Sequence, residues 1–587
     1  MGAFVLITDK AKPDIETVAA SANQSLIRQG FAESTPLRFE NGVLLLYAKQ
    51  VAPIANLVTL SKGDFCAAAG SFVYKGATGK TGLAALHADF DIDSKQGDFG
   101  LSPDRLHGAF CIVLRKQGRT FSFIDRVGVY KVYRNADETI FSSSFLAVLE
   151  TASRRRADVQ SVYEYVFQGG TYGDDTLAED IKLVSADFLT EPGVSLKAGA
   201  WPSFGTPEVT REPLDWHAER IFATLKRSFG DIAKAYDGHI DTALSGGYDS
   251  RLMLALLFNE HCRPDIHVYG KDNSPDVIVA KRIAEGEGFP LKHVDKGAGP
   301  TLPIDEAADS IAQTFRVFDG APPDGIFDNG TDLASRRERC RTGALMLNGG
   351  GGEVFRNFFY LLDRSFSVRQ ILWSFYSQFD PEAATDRFDE SAYHAQLGEK
   401  IKSTLATSKD RLTRPEVELV YPLFRCRYWM GRNNAVNSRF GSALTPFIDA
   451  TLIRQTVRVP MDYKNVGRFE ARLISLASPA LAAYPSDYGY AFDRPPPLSA
   501  QLKAMTTYMR PPSLRRYTFR LRTRRQAPSH PYFLGDDFRA AVMEPGFPRL
   551  GGLFHPEKLT DTGQFNRLCT AEYLFQKMDM AVVEISR

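Results

Sequence analysis

The sequence predicts an α/β chain of two domains, the second built on a doubly wound parallel sheet. Its 587 residues exceed the length over which one hydrophobic core keeps growing, so two cores are expected. Up to about residue 200 the apolar runs are short, partly alternating and bounded by turns, as at 43–48, 110–115 and 120–125, which reads as a sheet-rich unit with a few helices. Beyond residue 215 strands and helices alternate, the pattern of a parallel sheet whose ligands bind at the carboxyl ends of its strands.

Between the two parts, residues 197–213 turn to Gly, Pro, Ser and Thr without a period, so this segment reads as a connector with the boundary near Pro207. Asp215 then caps a helix in which Ile221, Phe222, Leu225, Phe229 and Ile232 recur at helical spacing as far as about Gly238. A strand at 240–244, a Gly-rich turn at 245–249 and a Leu-rich helix at 251–259 follow. The next strand is at 266–269, the next helix at 275–286, and a third strand at 291–294. From about Glu416 the pattern is mainly helical.

Lys+Arg 71 against Asp+Glu 70 gives a formal net charge of +1, without the broad basic footprint of general nucleic-acid binding. No apolar run reaches the ~20 residues that span a bilayer. The first residues lack the basic start and small-residue cleavage pattern of a secretory signal, so the expected location is cytoplasmic. Cys66, Cys111, Cys262, Cys340, Cys426 and Cys569 are widely spread and read as reduced, mostly buried thiols rather than metal ligands. His261, His267 and His293 read as structural.

The segment that carries chemistry is 244–250, LSGGYDS, a strand end running into a helix start. Gly246 and Gly247 let the backbone turn and bring amides close to a phosphate chain, and the helix N-terminus adds its positive dipole. Ser245 and Ser250 supply hydroxyls. Asp249 would repel a bare phosphate, so a carboxylate there makes sense if it holds Mg²⁺ bridging phosphate oxygens. Lysine and the spacing of a Walker loop are missing.

This loop closely resembles the pyrophosphate loop of the N-type ATP pyrophosphatases, as in asparagine synthetases, β-lactam synthetases and lasso-peptide cyclases. The resemblance continues in order along the chain. After the strand ending at Gly270 come Ser274, Pro275 and Asp276, and by resemblance the backbone around Val268 and Gly270 reads adenine. Residues 347–355, LNGGGGEVF, look like the family's second Gly-rich loop, with Gly349 and Gly351 at its glycines and Glu353 on its Asp. Gly350 stands where relatives carry a Glu or Tyr that handles the incoming amine. A third match runs through Asn433, Asn434, Asn437 and 445–449, TPFID, with Lys464 at a family-like place. Asp487 falls where the family's charge-stabilising Lys is usual.

The first part is similar to the Ntn-type glutaminase half of that family. Leu106, Gly108, Ala109 and Phe110 match LxGxF, 125–133 reads DRVGVYKVY, and 141–146 resembles the segment after it. Such a glutaminase needs Cys at position 2, where this chain has Gly2, so amide hydrolysis is not expected there.

The resemblance implies residues 1–205 as an Ntn-type αββα sandwich without its nucleophile, and 206–500 as the ATP-pyrophosphatase domain, a doubly wound parallel sheet with a helical C-terminal part. Residues 501–587 read as an Arg-rich helical extension. It implies ATP and Mg²⁺ as cofactors, with Leu244, Ser245, Gly246, Gly247, Asp249, Ser250, Val268, Gly270, Gly349 and Gly351 binding ATP. Asp249 and Glu353 would hold the metal, and Asp249, Glu353 and Lys464 would be catalytic. The implied activity is AMP-forming amide ligation of a small-molecule or peptide carboxylate with ammonia or an amine. A specialised cyclase or peptide- or glycan-modifying ligase, and a non-catalytic nucleotide-binding protein, are the alternatives. The arginines at 515, 516, 520, 522, 524 and 525 read as a solvated or salt-bridged face, or as a site for an acidic partner or membrane surface.

Overall fold

Strict alternation along the strand Phe65–Tyr74 explains the layering of the first half. Phe65, Ala67, Ala69 and Val73 enter the large core shared with the strand Ala3–Thr8. Cys66, Ala68, Phe72 and Tyr74 enter a second core with Leu83 and Leu86 of the helix Gly79–Asp89. The strand is therefore buried on both faces and sits between a helix and another sheet. The computed structural model describes residues 1–587 except 12–13, 93, 95–98, 187, 190–196, 199–200, 202, 300, 525–528 and 583–587. Arg525 and residues 199, 200 and 202 of the expected connector lie outside the described residues.

Two larger antiparallel sheets, with a two-stranded one at Phe188–Leu189 and Lys197–Ala198, make up this half. One has four strands, in the order Leu57–Thr59, Phe65–Tyr74, Leu106–Lys116, Arg119–Ile124. The other has six, with Ala3–Thr8 between Ile140–Ser142 and Gly42–Tyr47. The helix Ile15–Arg28 packs on the six-stranded sheet and on the helix Phe145–Thr151.

The second half carries a five-stranded sheet in which every pair is parallel. Its order is Lys292–Val294, Asp265–Tyr269, Ile240–Ala243, Leu345–Leu347, Ala443–Leu444. The chain first builds outward from Ile240–Ala243 in one direction, through the helices Tyr248–Asn259 and Pro275–Glu287, and then in the other. Strand order thus reverses between Ile240–Ala243 and Leu345–Leu347, the place at which open α/β sheets bind their ligands. The expected elements at 240–244, 266–269, 275–286 and 291–294 each appear within a residue or so of their predicted bounds.

One local expectation is corrected. The helix Leu214–Ala235 begins behind Pro213, so Asp215 lies in its first turn and pairs with Arg472 at 2.7 Å rather than capping it. The helical stretch from Arg414 widens into a π-helix over Tyr421–Met430 before the helix Gly431–Phe440. Farther on, the helix Thr562–Lys577 buries Leu568, Cys569, Leu574 and Phe575 in the large core and packs against the helix Val159–Gln168. All six cysteines are free and buried. Among the described residues no helix is long and apolar enough to cross a membrane.

Buried polar contacts tie the two halves together. Lys49 donates to the carbonyls of Ser438 and Gly441, each at 2.9 Å. His107 lies between Asp231 and Asp449, which push its pKa up to about 9 despite burial. Asp319 accepts from the Ser144 hydroxyl at 2.6 Å and from the backbone amides of Phe145 and Leu146 at 2.7 and 3.1 Å. It thus satisfies otherwise orphaned donors at the start of the helix Phe145–Thr151 and also pairs with the buried Arg439 at 3.2 Å. Asp319 itself has φ of 60°, a conformation Asn tolerates and Ala does not favour. Asp319→Asn is expected to cost roughly 2 kcal/mol through the charge that Arg439 loses, and Asp319→Ala roughly 3–5 kcal/mol through charge, donors and φ together. Urea unfolding of the two variants checks the order; equal stability would remove the φ contribution.

Candidate functional site

The strand-order reversal places the loop 244–250 beside the loop 348–355. Their contact is close enough to dictate glycine. A Cβ added to Gly352 would lie 2.6 Å from the Asp249 carboxyl carbon, and one on Gly351, at φ of 91°, would lie 2.5 Å from Ile448. Gly349 packs on the Asp249 backbone at ordinary contact distance. Gly350 meets chiefly the flexible end of Met430, so a side chain there has a way out.

In the first loop neither Gly246 nor Gly247 has positive φ, which corrects the expectation that they are needed to turn the backbone. Gly246 is required by approach instead, because an added Cβ would lie 2.7 Å from that of Asp487. Gly247 meets only Ser245 Oγ, at 3.7 Å, and leaves open space over the start of the helix. Gly247 caps the helix Tyr248–Asn259 without a side-chain bond, which leaves its first-turn amides available to an anion. Ser245 and Ser250 share a hydroxyl–hydroxyl bond of 2.9 Å, and the Ser245 amide donates to Ser250 Oγ at 3.0 Å. Leu244 and Val268 are buried in the sheet.

Arg251, fully buried, locks this loop in place. Its guanidinium donates to the carbonyls of Tyr484, Pro485 and Gly246 at 2.7, 2.8 and 3.3 Å and lies 4.6 Å from the Phe492 ring centre. Asp487 therefore sits against the loop, its amide donating to Gly246 O at 3.2 Å. On the other side the Gly246 amide donates to Asp276 at 2.7 Å. Burial and the Asp276 charge both push the Asp487 pKa up.

Asp249 lies in a cluster of three carboxylates around one guanidinium. Arg356 pairs with Asp249 at 2.6 Å, with Glu470 at 2.9 Å and with Glu353 at 3.8 Å. Glu470 is fully buried, and its approach to Arg356 misses hydrogen-bond alignment, so both of its carboxylate oxygens lack a hydrogen-bond partner. Glu353 also accepts from the Tyr421 hydroxyl at the start of the π-helix, a feature that recurs at functional sites. One cation does not balance three acids. Desolvation pushes Asp249 up to about 6 against the pull of Arg356, and burial together with the Asp249 charge holds Glu470 well above the usual carboxylate range.

The remaining expected residues lie outside this cluster's contacts. Lys464 is 1% exposed and spent on Glu418 at 2.9 Å, which Arg414 also engages at 2.7 Å; burial lowers its pKa. The Gly270 amide donates to Val294 O at 3.1 Å, and its carbonyl lies 2.7 Å from His293 Nε2. Asn434 donates to Thr445, Asn433 and Asn437 accept from Arg336, and Asp449 caps the helix Ala450–Thr456. Near Gly2 an added Cβ would lie 2.9 Å from Phe31, so the fold has little room for a side chain at that position.

Sequence reasoning missed Arg356, Glu470, Tyr421 and Arg251. Arg356 follows Glu353 by three residues, one helical turn, and that spacing is the one local signal that was available. Beside Glu353 and Arg356 opens a cavity of about 510 Å³ walled by Phe358, Phe359, Tyr360 and Trp373, with Arg510 and Arg522 at its edge. Among the described residues no three His, Cys, Asp or Glu form a ready metal cage. No protein-family model matches the chain, and neither does any curated protein.

An acid whose folded pKa is raised destabilises the fold once ionised. Asp249 therefore lowers stability as pH rises from about 4 to about 6, where the folded chain holds a proton that the unfolded chain has released. Asp249→Asn is expected to gain roughly 2 kcal/mol at pH 7 and to flatten this part of the profile. Thermal unfolding of both proteins between pH 4 and pH 8 tests it. A variant that loses stability at pH 7 would show that the carboxylate is held by Arg356 without strain.

Proposed function

We propose that this chain is an ATP-dependent, AMP-forming amide ligase of the asparagine synthetase kind. Its first half would be an Ntn-type sandwich and its parallel sheet an N-type ATP-pyrophosphatase domain. The observation that carries the reading is the meeting of two glycine-rich loops at the strand-order reversal, with Asp249, Glu353 and Glu470 outnumbering Arg356. The excess of acid fits a cation that arrives with a nucleotide. Mg²⁺ delivered by phosphates needs only one or two protein carboxylates, and Asp249 and Glu353 are the two at the loop edge. Bound there, it would neutralise the departing pyrophosphate.

The chain's own groups do the rest. Open amides at the start of the helix Tyr248–Asn259 and the Ser245 and Ser250 hydroxyls bind phosphate oxygens. Arg251 holds the loop rigid while this happens. The carboxylate substrate attacks the α-phosphorus and pyrophosphate leaves. A nitrogen nucleophile then adds to the acyl carbon and AMP departs. The aromatic walls of the 510 Å³ cavity favour an acyl substrate with an apolar body, more than aspartate alone. A second reading, nucleotide binding without turnover, draws on the burial of Lys464 against Glu418 and on the acids Asp276 and Asp487 flanking Gly246.

Release of AMP and pyrophosphate from Mg·ATP tests the reading, with ammonium and a panel running from aspartate to aromatic carboxylates. AMP formation dependent on one carboxylate and reduced about a hundredfold or more by Asp249→Ala is the expected result. Asp487→Asn should tighten Mg·ATP binding about tenfold, because it removes a like charge beside the phosphate site. Tight binding with no AMP from any carboxylate would establish the non-catalytic reading. Unchanged AMP formation in Asp249→Ala would displace the site altogether.

A further inference from the structure

Residues 494–535 carry Lys503 and eight arginines and no Asp or Glu. Two helices occupy the middle of this stretch, Leu498–Met509 and Pro512–Thr523. In the first, Ala500, Ala504, Thr507 and Tyr508 are half-buried and face the body of the protein. Leu498, Leu502, Met505 and Met509 lie at least 59% exposed, and at about 100° per residue they form one stripe almost opposite the half-buried face.

The second helix repeats the arrangement. Pro512, Arg515, Arg516, Phe519 and Arg520 turn toward the protein, whereas Leu514, Tyr517 and Leu521 point away. Both helices are amphipathic with the apolar side outward. The inward arginines are engaged: Arg515 donates to the carbonyls of Phe359 and Tyr360 at 2.7 and 2.6 Å, Arg520 pairs with Glu390, and Arg516 lies 5.1 Å from the Trp373 ring centre. Thr507 and Arg510 of the first helix and Arg515 and Thr518 of the second line the same cavity, so the two helices form one roof over it whose apolar stripes are exposed.

We infer that this roof lies on an anionic lipid surface, with the stripe Leu498, Leu502, Met505 and Met509 in the acyl boundary and Lys503, Arg510 and Arg522 at the headgroups. Apolar ridges flanked by exposed cations are the composition of helices that lie in a membrane interface. The occupant is selected by charge. A second copy would set two helix pairs that carry no Asp or Glu against each other. The inference does not depend on the ligase reading.

Flotation of the full chain with phosphatidylcholine vesicles, and with vesicles that also contain phosphatidylglycerol, tests it. The chain is expected to float with the anionic vesicles alone and to be released at on the order of 1 M salt, where screening falls to about 3 Å. Leu502→Glu with Met505→Glu should weaken partitioning about tenfold or more, the loss of one Leu-sized burial, with an unchanged melting temperature because both side chains are exposed. Lys503→Glu with Arg522→Glu should abolish the preference for anionic lipid. Failure to float with either vesicle would overturn the inference, as would undiminished flotation of Leu502→Glu/Met505→Glu. So would a dimer by light scattering that this variant lacks, which identifies a second copy, or binding to polyglutamate as tight as to vesicles, which identifies an acidic protein.

Discussion

The reversal of strand order between Ile240–Ala243 and Leu345–Leu347 is the constraint on which the rest of the candidate site depends. Parallel strands joined by right-handed crossovers send their helices to opposite faces once the order reverses, and here the two loops leaving these strands meet. Both loops close on their neighbours through missing side chains. Gly352 exists because Asp249 occupies the space of its Cβ, and Gly246 because Asp487 does. The glycines record packing between loops distant in sequence, more than flexibility within either one.

That distinction explains what the sequence revealed and what it did not. The strands at 240–244 and 266–269 were legible because each is a mostly apolar run bounded by turn residues, and 291–294, LKHV, by its place after a helix with its own start signal. Leu345–Leu347 and Ala443–Leu444 span three and two residues, too few for any period, and only their neighbours make them strands. Of the charge cluster, Asp249 and Glu353 stood out because each is set in a glycine-rich loop. Glu470 was invisible: it lies on the helix Arg468–Ala477 like any polar residue, and only the fold turns it inward to Arg356. Asp215 misled because side-chain identity suggested a cap two positions too late, where the fixed φ of Pro213 had already set the helix start.

The acids around the first loop set stability against function. Asp249, Glu353 and Glu470 share one guanidinium, and Asp276 and Asp487 flank Gly246 on either side. A chain selected only for stability would replace buried, crowded carboxylates with amides or apolar groups of similar size. Their crowding around one guanidinium leaves an excess of negative charge that the described side chains do not balance, and Asp276 occupies the Gly246 amide.

The helical roof over the neighbouring cavity follows the same logic in reverse. A run of arginines reads, from composition alone, as a solvated or salt-bridged face, and Arg520 and Arg524 do pair with acids. The aromatic and carbonyl-rich wall at Phe359, Tyr360 and Trp373 also gives Arg515 and Arg516 partners, so these arginines turn inward and Leu514, Tyr517 and Leu521 of the same helix are left outside. Helical periodicity was present in the sequence all along; which side faced the protein was decided by the cavity wall. On the helix Pro512–Thr523 the outward apolar residues are therefore set by the inward arginines, of which Arg515 also lines the cavity.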